Sequence, residues 1–142
     1  MTSLHDIPVE SILLQQPPFR FVDHLESYSE AVTEVSFTVR EGLMMLEGEC
    51  LSAAGLMEHM AQASAARIGY VTVYILHKPV SVGYIGQVRN FTFTRLPRVG
   101  ETLHTQVRLK SEFFGISLAD IDVYCGEERI ASASLKTALS DD

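Results

Sequence analysis

The sequence predicts an α+β fold in which a curved antiparallel sheet wraps round one long central helix. Three features lead there. Residues Ser52 to Tyr70 contain no proline, are rich in helix formers and are apolar almost all the way round. Ahead of them, Val35, Phe37 and Val39 alternate with Glu34, Ser36 and Thr38, the period of a half-buried strand. Behind them come four stretches of strand-forming residues divided by turn signals.

Taken in order, Pro17 and Pro18 mark a bend, after which Phe21, His24 and Tyr28 bracket a short extended segment that closes in a turn near Ser29. AVTEVSFTV is the first full strand, and REGLMMLEGE breaks its pattern. Ser52 then stands where a helix N-cap belongs. Small residues such as Ala53, Ala54, Ala61 and Gly69 dominate the surface of the helix, so it is expected to be buried. The β-branched VTVYIL either prolongs the helix or begins an irregular crossing, and HKP ends it. Four strands follow, SVGYIGQVRNFTFTRL, ETLHTQVRLKSEFF, ISLADIDVYC and ERIASASLKTAL. In the second, Leu103, Thr105, Val107 and Leu109 face one way and His104, Gln106, Arg108 and Lys110 the other, which gives a sheet with one wet face. Strands, a long helix and further strands make up the layout of a hotdog fold.

Composition bounds the function. The 142 residues, 46% of them hydrophobic, suit one domain spanning residues 1–142, and no internal repeat or linker divides it. Eleven Lys and Arg against eighteen Asp and Glu leave a net charge of −7, which opposes binding to nucleic acid or to an anionic membrane. No apolar run approaches the ~18 residues of a membrane helix. MTSLHDIPVE lacks the positive start of a secretion signal, so the cytoplasm is the expected location. Cys50 and Cys125 are far apart with no Cys/His cluster, so neither a disulfide framework nor a metal site is expected, and both are read as small buried side chains. Cys50, just before the helix start, is the one with any prospect of reactivity.

The most informative residue is Glu58, mid-helix among Leu56, Met57, Met60 and Ala61, with Gln62 one turn on along the same face. An isolated Glu on a helix ordinarily belongs to a solvated stripe, but this helix has too few polar residues to form one. A site carboxylate is the expectation. Burial would raise its pKa and suit it to act as a general acid, with Gln62 orienting it or binding substrate.

Here the chain resembles a family. Glu58-His59-Met60-Ala61-Gln62 is similar to the E-x-M-A-Q helix motif of FabZ-type 3-hydroxyacyl-[acyl-carrier-protein] dehydratases. Pro18-Phe19 with Val22-Asp23 resembles that family's P-F-L-L-V-D segment, and Phe93, Arg95, Gly100, Glu101 and Leu103 match its R-F-R-R-P-V-V-P-G-D-x-L stretch. The end, from Phe114-Gly115 to Leu135-Lys136-Thr137, is closer to the divergent dehydratase-like proteins of aryl-polyene pigment clusters. The resemblance implies a hotdog dimer with active sites at the subunit interface and an acyl chain lying in a tunnel beside the helix.

The family's H-F-P-G-x-P-V-M-P-G loop, source of its catalytic His, falls on Met44 to Ala53, which here reads MMLEGECLSA. Met44 stands at the His position. Ala53 replaces the Gly whose N–H polarises the thioester carbonyl, and Ser52 replaces the Pro. Since an alanine keeps its N–H, the helix N-terminus at Ala53 and Ala54 can still hold a carbonyl oxygen or oxyanion. The candidates for a replacement base are His59, turned ~100° from Glu58 on the helix, and His24, beside the P-F segment. For His59 the simpler role is a local hydrogen bond. His5, His77 and His104 are read as solvated. Met44, Met45, Met57 and Met60 are core or the lining of an adaptable acyl pocket.

Arg89, Arg95 and Arg98 bracket one strand and its turn in an acidic chain. They are either scattered surface charges or the local patch an acidic carrier protein would need. The sequence thus points to a divergent 3-hydroxyacyl-[acyl-carrier-protein] dehydratase, without cofactor or metal, acting on a thioester of acyl carrier protein or coenzyme A. It is expected to be a homodimer or larger oligomer, or a mixed dimer with a paralogous dehydratase. The alternatives are a hotdog thioesterase, with Glu58 activating water, and a non-catalytic subunit that binds carrier protein or completes an active partner.

Overall fold

The structure, a computed structural model, describes residues 4–80 and 83–139. The strands are β1 (His24–Tyr28), β2 (Val32–Thr38), the short pair β3 (Leu46–Glu47) and β4 (Cys50–Leu51), then β5 (Gly83–Phe93), β6 (Thr102–Phe113), β7 (Ile116–Cys125) and β8 (Glu128–Leu139). Helix α1 (Ala53–Tyr70) lies between β4 and β5. Six strands form one antiparallel sheet in the order β1-β2-β6-β7-β8-β5. Register shifts interrupt β1, β5, β6 and the β7–β8 pairing, and such bulges bend and twist a sheet. This is the hotdog arrangement expected from the sequence.

The alternation read in β6 sets its register. Leu103, Thr105 and Val107 are buried while His104, Arg108 and Lys110 are exposed. Leu103 and Val107 join Val35 and Phe37 of β2, Ile121 and Val123 of β7 and Leu135 of β8 in one core with Leu56, Met60, Ala63 and Ala66 of α1. Leu56, Met60 and Ala63 lie at i, i+4 and i+7, so one face of α1 lies on the sheet. Gly69 shows how closely the chain packs: a Cβ there would fall 2.0 Å from the Ile12 carbonyl oxygen.

Two segments differ from expectation. VTVYI prolongs the helix, one of the two expectations, but not in α form. It widens into a π-helical turn at Val71–Ile75, with Leu76 donating its N–H to Val71 at 2.9 Å. The two cysteines are partly buried rather than fully enclosed; burial pushes the Cys125 thiol up. No helix is long and apolar enough to cross a membrane among the described residues.

Candidate active site

Helical spacing brings Glu58 and Gln62 together, and the segment before β1 fixes them. Gln62 is 1% exposed and its amide is fully engaged. Its Oε1 accepts the Phe21 N–H at 2.7 Å, and its Nε2 donates to the Phe19 carbonyl and to Glu58 Oε1, both at 2.8 Å. Only one orientation of the amide satisfies an N–H on one side and two acceptors on the other. Glu58 is therefore held through one oxygen, and Oε2 has no hydrogen-bond partner among the described residues. The carboxyl is half-buried. It lies on a partly open stripe with Ala54, Met57, Ala61 and Ala65, and it lines none of the main clefts of the single chain.

His59 points the other way, into the core, where it is completely buried. Its Nδ1–H donates to the Phe21 carbonyl at 2.6 Å, and its Nε2 accepts the Thr105 hydroxyl at 2.7 Å. The ring stacks on Phe37 with centroids 5.5 Å apart. Burial pushes its pKa down to about 4, so the ring is a neutral bridge with neither nitrogen turned to Glu58. His59 and Gln62 thus grip the carbonyl and the N–H of the same residue, Phe21.

His24 opens β1, where its ring stacks on His5 at 3.8 Å. It lines a cleft of about 380 Å³ with Pro17, Arg20, Asp23 and Arg40, to which Glu58 does not contribute. Asp23 is a structural anchor there: its carboxylate accepts the Thr38 N–H at 2.8 Å and pairs with Arg40 at 2.9 Å.

The loop before α1 is built on β3 and β4. Leu46 pairs with Leu51, the Ser52 N–H donates to the Met45 carbonyl at 2.8 Å, and the Leu51 N–H to Pro97 at 2.8 Å. Met44 is 42% exposed in this loop, and Met60 alone of the four methionines read as core or lining is fully buried. Ser52 caps the helix by accepting the Gly55 N–H at 3.1 Å. The N–H groups of Ala53 and Ala54 have no protein acceptor among the described residues, so they remain available at the positive end of the helix dipole.

The arginines do not act alike. Arg95 forms a bidentate pair with Glu101, at 2.7 and 2.8 Å, and reaches Glu128 at 3.1 Å. The hydrogen bond from Arg95 draws the Glu101 carboxyl down to about 2. Arg98 is exposed and lines a cleft with Glu41 and Glu49. Arg89 is exposed on β5, an edge strand of the sheet. No group of acidic, His or Cys side chains suited to a metal ion is present among the described residues. The backbone clamp at Phe19 and Phe21 was invisible to motif reading because main-chain partners carry no side-chain signature. Thr105 had a signal, a hydroxyl on the apolar face of β6.

Residues 7–142 match the ApeP-like family, whose description is ApeP dehydratase. No curated protein matches the chain. Among solved structures, the ApeI:P dehydratase heterocomplex of Xenorhabdus doucetiae is similar with a TM-score of 0.87 at 17% identity, covering 96% of this chain and 93% of that one. A hypothetical thioesterase of Streptococcus pneumoniae, with coenzyme A, gives 0.65 at 11% identity, with coverage of 82% and 84%. The E. coli PaaI protein of the phenylacetic acid degradation operon gives 0.64 at 17% identity, with 82% and 78% covered. Hotdog thioesterases and dehydratases are thus the structural neighbours of this fold.

Proposed function

The chain belongs to the ApeP-like dehydratase family, and from that premise we propose that it supplies the acid half of a 3-hydroxyacyl thioester dehydratase site, completed by a second hotdog subunit. The observation that carries this reading is the Gln62–Glu58 pair. Gln62 occupies Glu58 Oε1 at 2.8 Å and leaves Oε2 for the substrate. The thioester carbonyl is assigned to the free N–H groups of Ala53 and Ala54, where the helix end stabilises developing negative charge. A base removes the C2 proton, the C2=C3 double bond forms, and the C3 hydroxyl leaves as water with the proton from Glu58 Oε2.

The base is assigned to the second subunit. Met44 occupies the family's His position and a thioether accepts no proton at neutral pH. His59 has both nitrogens engaged, and His24 lines a cleft to which Glu58 does not contribute. Glu58 opens outward rather than into a closed cavity, which suits a site that is finished across an interface. The described relative is itself a heterocomplex, which supports a paralogous dehydratase as the partner over a second copy of this chain. The acyl group is assigned to a carrier-protein or coenzyme A thioester, and the cytoplasm to the place of action.

Mass analysis tests the reaction. The chain alone and the chain co-purified with a paralogous hotdog dehydratase are each given a 3-hydroxyacyl thioester. The expected result is an enoyl thioester, lighter by one water, from the complex and little or none from the chain alone. A free acid as product would replace this reading with thioester hydrolysis by the same Glu58. Brisk dehydration by the isolated chain would overturn assignment of the base to a partner.

A further inference from the structure

At the far end of α1 from Ala53, a cleft of about 280 Å³ is bounded by Ile68, Val71, Leu76 and Phe114, with Arg67, Glu112 and Ser117 also lining it. Arg67 is only 5% exposed, yet among the described residues its guanidinium has one protein partner, Glu112, at 3.3 Å, and its Nε has none. A guanidinium does not lose its charge, so burying its Nε without an acceptor is costly unless the surroundings offset it. Glu112 is half-exposed at 53% and reaches only one terminal nitrogen. The C-terminal end of the helix dipole offsets part of the charge but offers Nε no acceptor.

Two further buried groups lie at the same place. Ser117 is 5% exposed and Thr137, its register partner on β8, 3% exposed. Thr137 Oγ1 has no partner, and no protein group takes the Ser117 hydroxyl among the described residues. The helix also changes form here, since the π-helical turn at Val71–Ile75 carries Val71 to the rim of the cleft; such turns recur at functional sites.

We propose that this cleft is a second ligand site, separate from the one at Glu58, which takes a carboxylate bearing a short apolar chain. The carboxylate pairs with the terminal nitrogens of Arg67, which it shares with Glu112, Ser117 contributes a hydroxyl, and the chain lies on Val71, Leu76 and Phe114.

Titrating isotopically labelled protein with hexanoate, and separately with hexanol, tests this by NMR. Hexanoate should shift the amide signals of Thr72, Gly115 and Ser117 in a saturable manner, and hexanol should bind about tenfold or more weakly for want of the charge. Arg67→Met should abolish the preference for the acid, and Arg67→Lys should retain part of it. If Arg67→Met does not fold, the comparison of acid and alcohol on the wild type decides alone. Equal binding of the two, shifts confined to other regions, or no binding of hexanoate at millimolar concentration would overturn the proposal.

Discussion

Gln62 Nε2 lies 2.8 Å from Glu58 Oε1, one helical turn away, while the other face of the same amide accepts the Phe21 N–H at 2.7 Å. The carboxyl that carries the proposed chemistry is thereby tied to the segment ahead of β1 through one buried side chain. Rigid positioning of this kind is what proton transfer in a transition state requires.

Gln62→Leu keeps the size of the side chain and removes all three hydrogen bonds. The buried Phe21 N–H and the part-buried Phe19 carbonyl then lose their partners, and leaving a buried polar group such as the Phe21 N–H unpaired costs about 1–3 kcal/mol. Urea unfolding should show a loss in that range. Activity of the complex should fall as well, because Glu58 is no longer oriented.

His59 makes stability depend on pH. Its folded-state pKa is about 4 against an ordinary 6.5, so below 6.5 the unfolded chain takes up a proton that the native ring refuses. The native state therefore loses stability as pH falls from about 6.5 to about 4 and is unaffected by this group at higher pH. Between pH 6.5 and 5 the loss should be about 1–2 kcal/mol. Unfolding curves of the wild type and of His59→Gln across that range should differ in slope, with the variant the flatter.

Gly69→Ala should destabilise the protein by about 2 kcal/mol or more. The added Cβ would sit 2.0 Å from the Ile12 carbonyl oxygen, and neither backbone can yield without the other. Thermal unfolding gives the loss, and faster proteolytic cleavage near Ile12 would locate it.

Helix and strands were legible because they rest on periodicity. Val35, Phe37 and Val39 or Leu103, Thr105 and Val107 announce their faces two residues at a time, and Ser52 announces the start of α1. The π-helical turn was not, since β-branched residues at Val71–Ile75 suit several backbones equally. The pairing of Glu58 with Gln62 could be read from helical spacing, whereas the clamp on Phe19 and Phe21 depends on main-chain groups. Arg95 could be read as a docking charge only while its carboxylate partners, Glu101 and Glu128, were unknown. Arg67 went unnoticed because nothing in a helix sequence distinguishes a buried arginine from a snorkelling one.

Arg95→Ala should act on the fold more than on docking. Without the guanidinium, the Glu101 carboxyl should rise from about 2 toward its ordinary 4.5, a change that NMR titration reads directly. Stability above pH 4.5 should drop by about 1 kcal/mol, as for a paired surface charge. Arg89→Ala and Arg98→Ala, which break no such pair, are the variants in which weakened binding to a carrier protein would point to docking.

The most direct measurement is the rate of enoyl thioester formation by the complex containing Glu58→Gln beside the rate with wild type. Glutamine preserves the shape and the hydrogen bond from Gln62 at Oε1 but has no acidic proton to deliver to the departing hydroxyl. The expected result is a folded complex with its rate reduced about 10²-fold or more, the scale of general acid catalysis. A Glu58→Gln complex that dehydrates as fast as wild type would contradict the assignment of Glu58 as the acid.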